Sequence, residues 1–127
     1  MKEIFTQNDF DELLSQERAI LSFNFGWSGP AVLGVQNLKA TDKFFHNQKN
    51  LVEINFWFAD MSDVNNLEHF LTEWLKKTLP LSNFGIVNNG YPLIIWFSFG
   101  QILNSEFRAD ILKTEGIIQK TVEYFNL

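Results

Sequence analysis

No cysteine occurs among the 127 residues, and that one absence excludes a good deal. Disulfides, thiolate catalysis and cysteine-ligated zinc or iron–sulfur sites all require the thiol. A basic excess is also missing: ten Lys and Arg stand against fifteen Asp and Glu, for a net charge of −5. Nucleic-acid binders carry a basic stripe or surplus, so no nucleic-acid partner is expected. No apolar run approaches the roughly 18 to 20 residues of a membrane span. The start, Met1-Lys2-Glu3-Ile4-Phe5-Thr6, lacks the apolar core of a secretory signal. No Asn-x-Ser/Thr acceptor is present. These absences together predict a cytoplasmic protein without a membrane partner. Histidine is scarce as well. His46 and His69 match no metal-ligand spacing, so no metal site is expected.

Apolar and aromatic residues are plentiful. Hydrophobic residues make up 46% of the chain and aromatics 16%, including fourteen Phe and four Trp. That is enough for one core and argues against disorder, and the length predicts a single domain over 1–127. No internal repeat, linker or low-complexity stretch interrupts it.

The pattern of apolar residues predicts the elements. Ile4-Phe5-Thr6 reads as a short strand. Asp9 with Glu12 three residues on is a capping pattern, and Phe10, Leu13 and Leu14 then place an apolar face on a helix over 9–16. Ala19-Ile20-Leu21-Ser22-Phe23-Asn24-Phe25 suits a central strand covered on both faces. Gly26-Trp27-Ser28-Gly29-Pro30 forces a turn, and Pro30 suits the first turn of a helix that runs on towards Phe44 and Phe45. Residues 51–58 read as a further strand. Asp60-Met61-Ser62-Asp63 supplies N-cap types for an amphipathic helix over 64–77. Asn88-Asn89-Gly90-Tyr91-Pro92 is a turn cluster ahead of the buried strand Leu93-Ile94-Ile95-Trp96-Phe97. Ser98-Phe99-Gly100 then connects into Gln101-Ile102-Leu103 as a hairpin. Thr114 is placed to cap a last helix with Ile117, Ile118, Val122 and Phe125 on its apolar side. The order β-α-β-α-β-α-β-β-α predicts an α/β fold: a central mixed sheet with helices on both faces.

That order resembles thioredoxin, with Trp27-Ser28-Gly29-Pro30-Ala31 after the second strand and Gly90-Tyr91-Pro92 before the fourth. The family carries Trp-Cys-Gly-Pro-Cys at the start of its second helix, facing a loop whose proline is cis. Phe84-Gly85-Ile86-Val87 resembles the approach to that loop, and Thr114-Glu115-Gly116 the start of the last helix. The resemblance covers essentially the whole chain and implies a thioredoxin-like fold with a cis Tyr91–Pro92 bond. The departures are specific. Ser28 stands at the attacking position, Ala31 at the resolving one, and Ser22 where the family keeps a buried acid. Disulfide exchange needs a thiolate and a second, resolving thiol, so this chemistry is not expected. Three coordinated departures read as natural loss.

Other readings of the same residues are weaker. Gly26-Trp27-Ser28-Gly29-Pro30 comes close to a hydrolase nucleophile elbow, with Asp60 and His69 following in chain order. The chain is too short for that fold, however, and His69 is expected across the sheet from Ser28. Asp60, Asp63 and Asn66 lack the Gly and Glu of a calcium loop. His46 is expected to meet solvent or carbonyls near its helix end. Trp74, with Leu79, Leu81 and Phe84, is expected to fill the core rather than to form an added surface. Phe99, at the tip of a hairpin, is the first candidate for an exposed contact.

The functional expectation is binding without catalysis. Trp27, Ser28, Gly29, Pro30, Tyr91 and Pro92 form the expected surface for a protein or an extended peptide, in an accessory, chaperone or scaffold role. No cofactor is implied. The alternative is a glutathione- or thiol-binding enzyme with Ser28 or Tyr91 as hydrogen-bond donor. A homodimer, or a structural subunit of an oligomer, is the other partner left open.

Overall fold

The computed structural model describes residues 1–24, 29–48, 53–61, 70–78 and 92–127. Its elements are β1 (Lys2–Glu3), α1 (Gln7–Ser15), β2 (Ala19–Asn24), α2 (Gly29–His46), β3 (Asn55–Asp60), α3 (Phe70–Thr78), β4 (Leu93–Ser98), β5 (Gln101–Phe107) and α4 (Ala109–Tyr124). The order is the one the apolar pattern predicts. The five strands form one mixed sheet in the order β1-β3-β2-β4-β5. β1 and β2 pair parallel with β3, while β4 runs antiparallel to both β2 and β5.

Strand alternation sorts the core into two layers. Leu21, Phe23, Trp57, Ile95 and Phe97 point to one face, where Phe10 and Leu13 of α1 and Leu71 and Leu75 of α3 cover them. Ile20, Phe56, Ile94 and Trp96 point to the other, under Leu38 and Phe45 of α2 and Ile117 of α4. All six residues of β2 are buried, as a central strand between two helical layers requires. Phe23 and Phe97 are fully buried, each contributing about 1.5–3 kcal/mol relative to exposure. Trp74 belongs to the first layer. Its ring meets Phe10 edge-on at 5.3 Å and lies within 6.2 Å of Phe23 and 5.9 Å of Phe97. The core reading of Trp74 therefore holds, while Leu79, Leu81 and Phe84 lie outside the described residues.

Several boundaries differ from the sequence reading, each for a local reason. The first helix begins one turn earlier, because Thr6 rather than Asp9 is the N-cap. The Thr6 hydroxyl accepts from Asp9 N–H at 3.2 Å, and Asp9 Oδ2 accepts from Thr6 N–H at 3.1 Å and Phe5 N–H at 2.9 Å. Asp9 is thus the reciprocal acid of the capping box. Ile4 N–H donates to the Phe58 carbonyl at 2.9 Å, so strand-like pairing ends before Phe5. β3 starts at Asn55 and ends at Asp60, which makes Asp60 a strand residue and not a cap. Residues 62–69, where that helix start was expected, lie outside the described residues, as do Leu51 and Val52. The β4–β5 hairpin is present with Phe99 and Gly100 as its turn. Both have positive φ, 48° and 79°, the pattern of the turn that matches strand twist. A Cβ at Gly100 would come within 2.9 Å of the Leu14 carbonyl oxygen, so only glycine fits there. β5 extends to Phe107, beyond Gln101-Ile102-Leu103, which mark it in sequence.

Candidate functional site

The expected site residues divide into two groups. Gly29, Pro30 and Pro92 are described; Trp27, Ser28 and Tyr91, with the Tyr91–Pro92 peptide bond, lie outside the described residues. Gly29 and Pro30 open α2, Gly29 exposed and Pro30 half-buried. Pro30 fits because the missing N–H falls where a helix has no internal acceptor for it. Ala31, at the resolving position of the resemblance, is fully buried.

Pro92 is brought onto the same helix by Gly34, one turn further in. A Cβ built on Gly34 would stand 2.8 Å from both Cβ and Cγ of Pro92, and 3.6 Å from Cβ of Ala109. The glycine is what allows the Pro92 ring to lie directly on the α2 backbone. From Pro30 to Gly34 the helix rises about 6 Å, so the Pro92 ring lies within one turn of the start of α2. Pro92 itself is buried, as is Gly34.

The other side is built by the start of α4. Arg108 N–H donates to the Pro92 carbonyl at 2.9 Å, with Ala109 N–H at 3.4 Å from the same oxygen. Arg108 has φ 64° and ψ 54°, a left-handed conformation that turns β5 directly into α4. Its guanidinium holds Asp110 through two hydrogen bonds of 3.1 and 2.9 Å. That pairing keeps the Asp110 carboxyl below the usual carboxylate range. The carboxylate also lies in the first turn of α4, where negative charge meets the positive end of the helix dipole. Asn37, one turn beyond Gly34, donates to the Ala109 carbonyl at 3.2 Å and ties the two helices together. The Thr114 hydroxyl reaches Asn37 Oδ1 at 3.5 Å instead of capping its own helix. Lys113 interrupts α4 with φ 59° and ψ 173°, so residues 109–112 form a turn of their own ahead of the main helix.

Two exposed apolar side chains neighbour these residues along the chain. Leu33, beside Gly34, is 50% exposed, and Ile111, two residues beyond Ala109, is 62% exposed. Neither was singled out from the sequence. Gly34 carried a legible signal, since glycine inside an apolar helix pattern marks a close approach. Arg108 and Ile111 carried none, because nothing local announces a left-handed arginine.

Beneath the surface, the acid of the resemblance is replaced by Ser22. Ser22 and Asn24 are fully buried, and the Ser22 hydroxyl and both polar atoms of the Asn24 amide have no hydrogen-bond partner among the described residues. Neither side chain ionises at neutral pH, so this part of β2 offers no proton relay. His46, at the far end of α2, is largely exposed to solvent, as expected, and its Nδ1 lies 3.2 Å from Asp42 Oδ1. Among the described residues no group of His, Asp and Glu is arranged to hold a metal ion. No helix among them is long and apolar enough to cross a membrane.

No protein-family model matches the sequence, and no curated protein does. Solved structures do match the fold. Thioredoxin from Plasmodium falciparum superposes with a TM-score of 0.63 at 19% identity, covering 94% of this chain and 98% of its own. Thioredoxin from Fasciola hepatica gives 0.62 at 16% identity, over 95% and 99% of the two chains. That from Trypanosoma brucei brucei gives 0.61 at 16%, over 98% and 88%. At such identities the likeness is one of backbone architecture. The chain has the thioredoxin fold, and without a single cysteine it does not carry out that fold's thiol–disulfide exchange.

Proposed function

We propose that this chain is a redox-inactive binding module that docks a protein segment or an extended peptide on the surface between the start of α2 and Pro92. The observation that carries the reading is the seating of Pro92 on Gly34, pinned through its carbonyl by Arg108 and Ala109, with exposed Leu33 and Ile111 as neighbours along the chain. A rigid seat of this kind, with exposed apolar side chains next to it in the chain, suits an apolar residue of a peptide. Little ordering is then needed on the protein side. In the sequence, Tyr91 directly precedes Pro92 and Trp27 stands two residues before Gly29, and both are residue types that anchor interfaces. Accessory, chaperone and scaffold roles all use such a surface.

The test is capture of partners from the source cell by wild type and by a Trp27→Ala/Tyr91→Ala variant whose folding is checked by circular dichroism. Amide shifts are then mapped with the captured segment as a synthetic peptide. The expected result is a partner held by wild type and released by the variant, with shifts at Pro30–Gly34 neighbours and Arg108–Ile111. Shifts confined to other elements, or a partner retained equally by both proteins, would move the function away from this surface.

A further inference from the structure

The two edges of the sheet are unequal. β1 has two residues, whereas β5 has seven and, among the described residues, pairs only with β4, so its outer backbone groups face no other described strand. Long edge strands are normally blunted by Lys, Pro or inward charges. From Phe99 to Phe107 this edge holds no Lys, Arg or Pro. The inward charge is kept only near the far end, where Glu106 meets the Tyr124 hydroxyl and the Lys120 ammonium, and Phe99 to Leu103 stay uncharged. Phe99 is 67% exposed, Ile102 41% and Leu103 42%. Strict alternation would hide one of two adjacent strand residues. Here Phe97 pairs with Ile102 and Trp96 with Asn104, leaving Leu103 as an extra residue, so both apolar side chains stay outside the core.

We infer that this edge is the contact between two copies of the chain, with β5 of one running antiparallel to β5 of the other. The composition favours a copy over a charged partner. The chain carries a net −5, yet Phe99-Gly100-Gln101-Ile102-Leu103-Asn104-Ser105 is free of charge, so a basic peptide finds no carboxylate there and a second copy meets no repulsion. An isologous two-fold also needs only one self-complementary strand. The uncovered parts of Phe99, Ile102 and Leu103 amount to roughly 300 Å² per copy, well below a standard specific interface. The dimer is therefore weak, with a dissociation constant on the order of micromolar to submillimolar. The apolar end of this edge, Phe99 to Leu103, is separate from Pro92, for β4 carries the chain about 17 Å from Pro92 to the hairpin, and the inference does not depend on the proposed function.

Sedimentation of the full chain over about a hundredfold range of concentration reads the dimer directly. The expected result is a monomer at the low end and a dimer at the high end. Leu103→Lys should weaken it about tenfold or more by placing two ammonium groups at the axis. Phe99→Asn keeps the left-handed turn and removes an apolar contact, so it serves if the lysine variant folds poorly. Amide exchange across β5 should slow as concentration rises. A wild type that stays monomeric throughout, or a dimer that both variants preserve, or one that forms without slowing β5 exchange, overturns the inference.

Discussion

Gly34 shows how one residue sets the geometry of the candidate surface. Alanine in its place would gain about 1 kcal/mol of helix propensity. Against this stands a Cβ only 2.8 Å from two atoms of the Pro92 ring, which is rigid and cannot swing aside. Overpacking of that kind costs about 1–3 kcal/mol, so the clash outweighs the propensity. Gly34→Ala should lower the urea midpoint by the equivalent of about 1 kcal/mol and shift the amide resonances of Arg108 and Ala109. A variant more stable than wild type would show that Pro92 does not lie on the helix. Ser22 and Asn24, unpartnered among the described residues, make a second point at this scale. Buried polar atoms without partners carry a desolvation cost of about 1–3 kcal/mol, and here they sit in a strand whose other members, Ile20, Leu21 and Phe23, easily sustain it.

Among the elements, α1 relies on its cap more than on packing at that end, since Thr6 is exposed and Asp9 only half-buried. The backbone N–H of Phe5 is the largest influence holding the Asp9 carboxyl below its ordinary value, followed in the same sense by the Thr6 backbone and hydroxyl; slight burial opposes them. A depressed carboxylate stabilises the fold above its unfolded pKa, and that stabilisation disappears as pH falls through the lower, folded value. Asp9→Asn should therefore cost about 0.5–1 kcal/mol at neutral pH. The gap between variant and wild type should close below the usual carboxylate range. Urea unfolding at a series of pH values measures it, and a pH-independent gap would mean that charge plays no part in the cap. The α1 boundary was misread by one turn because Asp9 is both a common N-cap type and, here, the N3 partner of Thr6. The hairpin was readable because Ser98-Phe99-Gly100 punctuates two apolar runs. The length of β5 was not, since Asn104, Ser105 and Glu106 lie on an edge and no apolar alternation marks them.

The whole molecule is a two-layer core about one central strand. β2 is paired on both sides and buried on both faces, so its amides should exchange only through global unfolding. In dilute solution the outer amides of β5 should exchange orders of magnitude faster, through local opening. Native-state hydrogen exchange distinguishes the two, and equal protection would contradict the assigned sheet order. Trp96 joins the layers to α4, donating from its indole N–H to the Thr121 hydroxyl at 3.0 Å while packing edge-on to Tyr124. Burial, then the neighbouring Glu106 carboxylate, raises the Tyr124 pKa, so the phenol stays a donor throughout the neutral range.

The division between sequence and tertiary structure follows the range of the forces. Element type and order were present in the sequence because periodicity, capping residues and turn residues act over a few positions. The loss of exchange chemistry was present too, since no fold supplies a missing thiol. The strand order, the approach of Pro92 to Gly34, the left-handed Arg108 beneath the Pro92 carbonyl and the exposure of Leu33, Ile111, Ile102 and Leu103 came only with the fold. They depend on which distant surfaces meet. Residues of like hydrophobicity, such as Leu38 and Leu33 on one helix, are told apart only by what packs against each.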